Sequence, residues 1–318
     1  MKAKNHMTQS SASKNLKNKI TVCICTYKRP QRLAALLSAL AKQTTNDLFG
    51  YDIVVIDNDR YRSAQKIVEE FINHYDIDIN YDVEERQNIA LARNKSILNS
   101  SGDLIAFIDD DEIPPAEWLY KLYLAIKKYN ADGILGPVCP LFEVQPPRWV
   151  TKGKFFDRPR HRTGHILSWK ETRTGNALIK KSVFEKSSDW FREVFGSGGE
   201  DRDFFKRKIA GGFNFIWCNE AIVYECIPAK RWSLNNQLKR AMIRGKASMG
   251  YSSNKFRSIL KSQAAIMCYG FSLPYLLLIS PFIGYETFIR YLISLFDHIG
   301  KLLAFLDIDL IREKYVLT

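Results

Sequence analysis

Short apolar runs alternate with leucine-spaced amphipathic segments from Ile20 as far as Gly136. Ile20 to Thr26 (Ile-Thr-Val-Cys-Ile-Cys-Thr) has strand character and is broken by Tyr27-Lys28-Arg29-Pro30 before a helical pattern over Gln31 to Lys42. Asp52 to Asp57 repeats the strand pattern, closes on Asp57-Asn58-Asp59-Arg60, and is followed by helical spacing over Ser63 to Tyr75. Ile77 to Val83 reads as a third strand, Asn88 to Asn99 as a helix and Leu104 to Ile108 as a buried strand. Ala116 to Tyr129 then reads as a helix and Asp132 to Gly136 as a strand. This alternation predicts an α/β fold with a largely parallel sheet covered by helices on both faces. Ligands of such sheets sit at the carboxyl ends of the strands, which gathers Thr26, Asp57 and Asp109 to Asp111 along one rim.

The strand Leu104 to Ile108 runs directly into Asp109-Asp110-Asp111-Glu112 and then Pro114-Pro115. Adjacent carboxylates repel, so a fold that gathers four at a strand end calls for a divalent cation. Asp109 and Asp111 have the spacing that points alternate side chains the same way along an extended backbone. The competing reading is an acidic loop capping the next helix. Beyond Pro137 the pattern loosens. Pro140 to Arg173, rich in proline, arginine and tryptophan, is expected to form binding loops. Thr174 to Lys180 reads as a strand returning to the core. Gly196-Ser197-Gly198-Gly199 is a glycine-rich turn feeding a helix whose first turn carries Glu200, Asp201 and Asp203. There the helix dipole favours ionised carboxylates. Phe213 to Trp217 and Ala221 to Tyr224 read as short strands, and Ser233 to Met249 as a basic helix. On it Arg240 and Arg244, one turn apart, could bind a diphosphate or lipid headgroups.

The end of the chain differs from the rest. Lys261 and Glu286 bracket an uncharged run long enough to cross a bilayer, although Pro274 and Pro281 weaken it as a straight spanning helix. Arg290 to Phe305 follows with an amphipathic pattern, so the pair is read as a membrane-embedded hairpin or interfacial anchor. Packing of these helices on the catalytic domain or another subunit is the alternative.

Composition narrows the partners. A net charge of +13 over 318 residues calls for an anionic partner. The acidic rim and apolar tail favour phosphorylated ligands and a membrane surface over nucleic acid. Six cysteines without a Cys-x-x-Cys pair read as reduced core thiols in a cytoplasmic setting, with Cys23 and Cys25 sharing a buried face. His161 and His165 have the spacing of a metal pair, but no acid or cysteine lies nearby in sequence, so metal binding there is not expected. Residues 1–19 are polar and lysine-rich with no apolar h-region and read as a disordered basic tail. No Gly-x-Gly-x-x-Gly follows the first strand and no Gly-x-x-x-x-Gly-Lys-Ser/Thr occurs, which disfavours dinucleotide oxidoreductases and P-loop hydrolases.

Six segments in order carry a family resemblance: Val-Cys-Ile-Cys-Thr-Tyr-Lys-Arg-Pro, Val-Ile-Asp-Asn-Asp, Asn-Ile-Ala-Leu-Ala-Arg-Asn, Phe-Ile-Asp-Asp-Asp-Glu, Thr-Gly-Asn-Ala-Leu and Gly-Gly-Glu-Asp-Arg-Asp-Phe-Phe. Over about Ile20 to Tyr251 the chain resembles the inverting family 2 glycosyltransferases. It looks most like the bacterial succinoglycan-type glucosyltransferases that act on lipid-linked saccharides. The resemblance implies a GT-A fold, a Rossmann-like mixed sheet flanked by helices, over residues 20–250, with a membrane-associating helical segment over 251–318. It implies donor-nucleotide contacts from Thr26, Tyr27, Arg29, Asp57, Arg93, Asp109 and Asp110. Asp109 and Asp111 match the Asp-x-Asp pair that holds Mn²⁺ or Mg²⁺ against the diphosphate; Asp110 or Glu112 could share that role, since the acids run together. Asp201, with Glu200 beside it, matches the general base, and Asn176, Gly198 and Gly199 fall near the sugar and acceptor. The implied partners are a nucleotide-diphosphate sugar and a polyprenyl-diphosphate-linked saccharide at the cytoplasmic face of the inner membrane, in exopolysaccharide assembly.

The residue types suit that chemistry: a carboxylate-held cation stabilises the leaving diphosphate, and a carboxylate on the opposite side deprotonates the acceptor hydroxyl. Two other classes compete. A non-catalytic nucleotide-sugar or glycan-binding membrane protein with a decayed fold would bind nucleotide without turnover. A metal-dependent nucleotidyltransferase would release diphosphate from a nucleoside triphosphate.

Overall fold

The central strand β1 (Lys19–Thr26) buries Ile20, Val22 and Ile24 on one face and Cys23 on the other, as the two-residue period of a strand requires. The computed structural model describes residues 18–185, 190–196, 198–250 and 254–308. The expected N-terminal tail lies outside these up to residue 17, and Ser197 of the glycine-rich turn is outside them as well.

In chain order β1 is followed by α1 (Pro30–Leu40), β2 (Gly50–Asp57), α2 (Gln65–His74), β3 (Ile79–Val83), α3 (Ile89–Leu98) and β4 (Leu104–Ile108). Then come β5 (Glu112–Ile113), α4 (Trp118–Tyr129), β6 (Gly133–Leu135), β7 (Val138–Phe142), α5 (Arg148–Gly153), β8 (Asn176–Lys180) and α6 (Ser182–Glu185). The remainder is α7 (Glu200–Ala210), β9 (Phe215–Trp217), β10 (Val223–Ile227), α8 (Ala229–Trp232), α9 (Leu234–Gly250), α10 (Lys255–Ile283) and α11 (Tyr285–Phe305).

Seven strands form the main sheet in the order β3-β2-β1-β4-β8-β6-β9. Neighbours run parallel except β8, which is antiparallel to both β4 and β6. The sheet is therefore mixed, where the β/α rhythm alone predicts a largely parallel one. The strand expected at Thr174 to Lys180 is the one that reverses. Leucines of α1 and α4 pack with Val68 of α2 on one face. Ala90, Ala92 and Ile97 of α3 pack with Phe204 and Phe205 of α7 on the other. A three-stranded sheet, β5-β10-β7, sits beyond the carboxyl end of β4. It draws β7, from the segment expected to be irregular, into pairing with β10.

The last two helices form a hairpin that turns at Gly284 (φ 96°). Pro274 and Pro281 lie inside α10 without ending it. The Leu277 carbonyl, which Pro281 leaves without its usual amide donor, accepts from Ser280 Oγ at 2.8 Å. The face α11 turns to α9 is joined at two small residues. A Cβ at Gly245 would strike the Asp297 carbonyl, and one at Gly300 would strike that of Met242. Arg244 adds a 2.8 Å bond to Asp297.

Candidate active site

Three strand ends and the turns after them build one rim. The register that sets Cys23 opposite Phe107 carries Thr26 alongside the acidic turn, where its hydroxyl donates to Asp110 at 2.8 Å. Pro30 opens α1 at a position where no amide donor is needed, and Arg29 just before it reaches back to Asp110 at 3.0 Å and Asp111 at 3.5 Å. Asn88 caps α3 by accepting from the amides of Ala90 and Leu91. That fixes the helix whose Arg93 contacts Asp109 at 3.2 Å and pairs with Glu200.

Thr26, Arg29, Arg93 and Asp109 to Asp111 line a cavity of about 330 Å³, together with Tyr27, Asn58, Arg158, Glu225, Arg231 and Arg240. A second cavity of about 200 Å³ adjoins it and is lined by Thr172, Arg173, Gly175, Asp201 and Arg202. Arg93, Asp109 and Arg158 line both and form the wall between them. Gly175 sits close against the acids: a Cβ there would lie 2.7 Å from Glu112 Oε1 and 3.0 Å from Asp109 Oδ2, so a larger residue would push on both carboxylates.

The four acids of the run are not equivalent. Burial pushes Glu112 well above the ordinary carboxylate range, with the Asp109 charge adding to the effect, and its Oε2 accepts the Asp109 amide at 3.1 Å. Asp110 is raised by burial despite Arg29 and Thr26, which hold it. Burial, then the charges of Asp110, Glu225 and Asp109, bring Asp111 up to about 6, against the pull of Arg231. Its guanidinium contacts, at 3.5 Å from Arg29 and 3.4 Å from Arg231, are long for charge-assisted bonds, so burial wins. Ionising Asp111 thus costs roughly 3 kcal/mol more than in water. Asp109 is the accessible member, with 48% of its side chain exposed against 11% for Asp111.

Of the residues expected at the site, Thr26, Tyr27, Arg29, Arg93, Asp109, Asp110 and Asp111 meet in the larger cavity, and Asp201 lines the smaller. Glu200 lies behind Arg93, 4% exposed, and lines neither. Asp57 ends β2 but is fully buried, its carboxylate accepting from the amides of Asp59 and Ala64 and from the Tyr81 hydroxyl. Asn58 takes its place in the lining. Asn176 is likewise enclosed: it accepts from Trp118 Nε1 and donates to the carbonyls of Pro137 and Ala221, so its amide braces the core where acceptor contact was expected. Gly198 and Gly199 form the turn into α7, both at positive φ, outside the two linings. Arg240 and Arg244 do not act as a pair: Arg240 faces the cavity, where burial brings it down to about 10, and Arg244 turns to Asp297. Cys23 is buried as expected, whereas Cys25 reaches the cavity lining.

Arg158, Glu225 and Arg231 are site residues that the sequence reading did not single out. One signal was available. Val223, Glu225 and Ile227 alternate along β10 and all face inward, and a carboxylate at a core position requires cations. Arg158 and Arg231 supply them, each 2.5 Å from Glu225, and hold it below its ordinary range although burial works the other way.

Residues 21–187 match the family described as Glycosyl transferase family 2. The succinoglycan biosynthesis protein ExoM of Rhizobium meliloti is 36% identical over 225 residues, 70% of this chain and 71% of that protein. The glycosyltransferase AglE of Haloferax volcanii is 25% identical over 216 residues, 66% of this chain and 67% of that protein. S. aureus TarS 1-349 in complex with UDP-GlcNAc is similar in fold, with TM-score 0.53 at 16% identity over 92% of this chain and 95% of that chain. Against a longer TarS chain the match spans 55% of its length.

Proposed function

The chain belongs to glycosyl transferase family 2, and from that membership we propose that it is an inverting, metal-dependent hexosyltransferase. In this reading it takes the sugar from a nucleotide-diphosphate donor, a UDP-sugar, and passes it to a polyprenyl-diphosphate-linked saccharide. The work would take place at the cytoplasmic face of the inner membrane, in bacterial surface polysaccharide assembly. The observation that carries this reading is the pair of adjoining cavities. One is rich in guanidinium groups and carboxylates, the other holds Asp201, and Asp109 stands in the wall between them.

The donor set fits Mn²⁺ or Mg²⁺. Such ions take oxygen ligands from one or two carboxylates plus substrate phosphates. Asp111, costly to ionise as it stands, and the accessible Asp109 are the two acids suited to hold one. Asp110 is engaged by Thr26 and Arg29, and Glu112 favours its neutral form. Bound there, the ion would act as a Lewis acid on the departing diphosphate.

The protein's own groups supply the rest. Arg240, still protonated at neutral pH with a pKa near 10, and Arg29 offer fixed positive charge to diphosphate oxygens. Arg93, steadied by Glu200, sits where donor and acceptor cavities meet. Asp201, in the first turn of the eleven-residue α7, would accept the proton from the acceptor hydroxyl as that oxygen attacks the anomeric carbon. Attack from the side opposite the diphosphate inverts the centre.

Membrane association is supported by α10, the one helix among the described residues long and apolar enough to cross a bilayer. At 29 residues it is about 43 Å long, and Phe271, Leu278 and Phe282 stand exposed on it. A thermal-shift panel of UDP, GDP, CDP and their hexose conjugates, with and without Mn²⁺, tests the reading on detergent-solubilised protein. A ligand at a hundred times its Kd adds about 2.7 kcal/mol to the folded state. Mn²⁺-dependent stabilisation by UDP and a UDP-hexose is expected, with UDP release once acceptor is added. A folded protein that none of these ligands stabilises would sink the proposal, and release of diphosphate from a nucleoside triphosphate would redirect it to nucleotidyl transfer.

A further inference from the structure

His161, His165 and Glu171 lie on the segment that meets edge strand β9 through the Ile166–Ile216 bridge, and none of them lines either cavity. The sequence reading set the two histidines aside for want of a nearby acid. Six positions after His165, however, a short turn at Trp169–Glu171 folds Glu171 back onto them. Their ligand atoms all come within 4.8 Å of one another, the one such group of three among the described residues. We propose that these side chains form a binding site for a transition-metal ion of the Zn²⁺ class.

The distances also suit ligands of one shared ion. Glu171 Oε1 is 3.3 Å from His161 Nε2 and 3.4 Å from His165 Nε2. A charge-assisted N–H···O⁻ bond measures about 2.7–2.9 Å. Two ligands bound to one ion at about 2.05 Å stand about 3.3 Å apart in a tetrahedral site and about 2.9 Å apart in an octahedral one. Two of the three edges therefore already have the tetrahedral length. The imidazole rings are stacked, with centroids 4.4 Å apart and planes 11° from parallel, and both present Nε2 to the same carboxylate oxygen. Water completes the four ligands.

The carboxylate is oriented as a ligand's would be. Its other oxygen, Oε2, accepts from the Ser168 amide at 2.9 Å and the Ser168 hydroxyl at 2.6 Å, which leaves Oε1 to the histidines. The backbone around the histidines is also pinned to the sheet: Gly164 donates to the Trp217 carbonyl, Trp217 to that of His165, and Leu167 to that of Phe215, each at 2.9 Å. The ring of His161 packs edge-on against Trp217.

The placement gives the ion a positioning role. Arg158 lies three residues before His161 and Arg173 two after Glu171, so the ion would tie together the two ends of a segment whose flanks carry two of the cavity arginines.

The test uses tag-free, full-length protein in detergent, stripped with a chelator, supplied with excess Mn²⁺ and titrated with Co²⁺ and then Zn²⁺. Wild type should take up one equivalent of Co²⁺ with the strong visible bands of four-coordinate geometry and no thiolate charge-transfer band. Zn²⁺ should displace it and raise the Tm. His165→Ala and Glu171→Gln should weaken this affinity by about 10²-fold or more and Ser168→Ala by about tenfold, while Asp111→Ala leaves it unchanged. Melting of each metal-free variant checks folding, and His165 is exposed enough to replace without disturbing the core. Wild-type uptake in both His165→Ala and Glu171→Gln, no uptake by wild type, or a thiolate band lost in Cys268→Ser would each overturn the inference.

Discussion

The guanidinium of Arg231 and the carboxylate of Asp111, 120 positions apart in the chain, face each other at 3.4 Å inside the larger cavity. Arg231 holds Glu225 much closer, at 2.5 Å, so Glu225 satisfies most of its charge and Asp111 is left under-compensated. That imbalance makes Asp111 a group whose ionisation a ligand can drive.

A pH dependence follows from it. A cation binds the ionised carboxylate, and protons compete for the same oxygens. With Asp111 at about 6, Mn²⁺-dependent UDP affinity should be level above that pH and fall about tenfold per unit below it. Calorimetry between about pH 7.5 and 5 measures this. Asp111→Ala should abolish the metal-dependent part throughout. A flat profile in the wild type, or unchanged Mn²⁺ dependence in the variant, would remove Asp111 from the metal site.

The neighbours Glu200 and Asp201 should separate by the step they affect. Asp201→Asn should lower transfer by about 10² or more with donor affinity nearly intact, the scale expected of a general base. Glu200→Gln should act through Arg93, with which it is buried: donor affinity drops and the fold loses about 1–3 kcal/mol. Steady-state kinetics with donor calorimetry distinguishes the two. A turnover defect confined to Glu200→Gln would exchange the roles.

The apolar hairpin carries its own test. Phe271 and Phe282 are 85% and 90% exposed on α10, so replacing either with Asp should leave the melting temperature nearly unchanged. If that face lies in lipid, each substitution costs about 3 kcal/mol of insertion, enough to lower vesicle binding by about 10²-fold. Flotation with anionic vesicles reads the outcome, and undiminished binding in both variants would argue for a protein partner on this face.

Much of the catalytic half could be read from local pattern because its strands are short, apolar and closed by acids at the ligand rim. Asn88 before an apolar helix and Pro30 at a helix start are signals that work within a few residues. What escaped depends on pairing at a distance. The reversal of β8 is set by its neighbours β4 and β6, not by its own composition. Asp57 and Asn176 have side chains suited to ligands, yet amides, carbonyls and aromatic groups from other elements use up their hydrogen-bonding capacity. At Pro281 the helix continues with Ser280 occupying the carbonyl that this proline leaves open, a compensation that a simple breaker rule does not count.

The two glycines at the α9–α11 contact join the apolar hairpin to the site. They allow backbones to touch, and the same α9 that is clasped there carries Arg240 into the larger cavity. Close packing there couples the larger cavity to the hairpin. If α10 enters the bilayer and the acceptor is lipid-linked, as proposed above, the protein would act as a ruler, favouring a hydroxyl held at one height above the lipid surface.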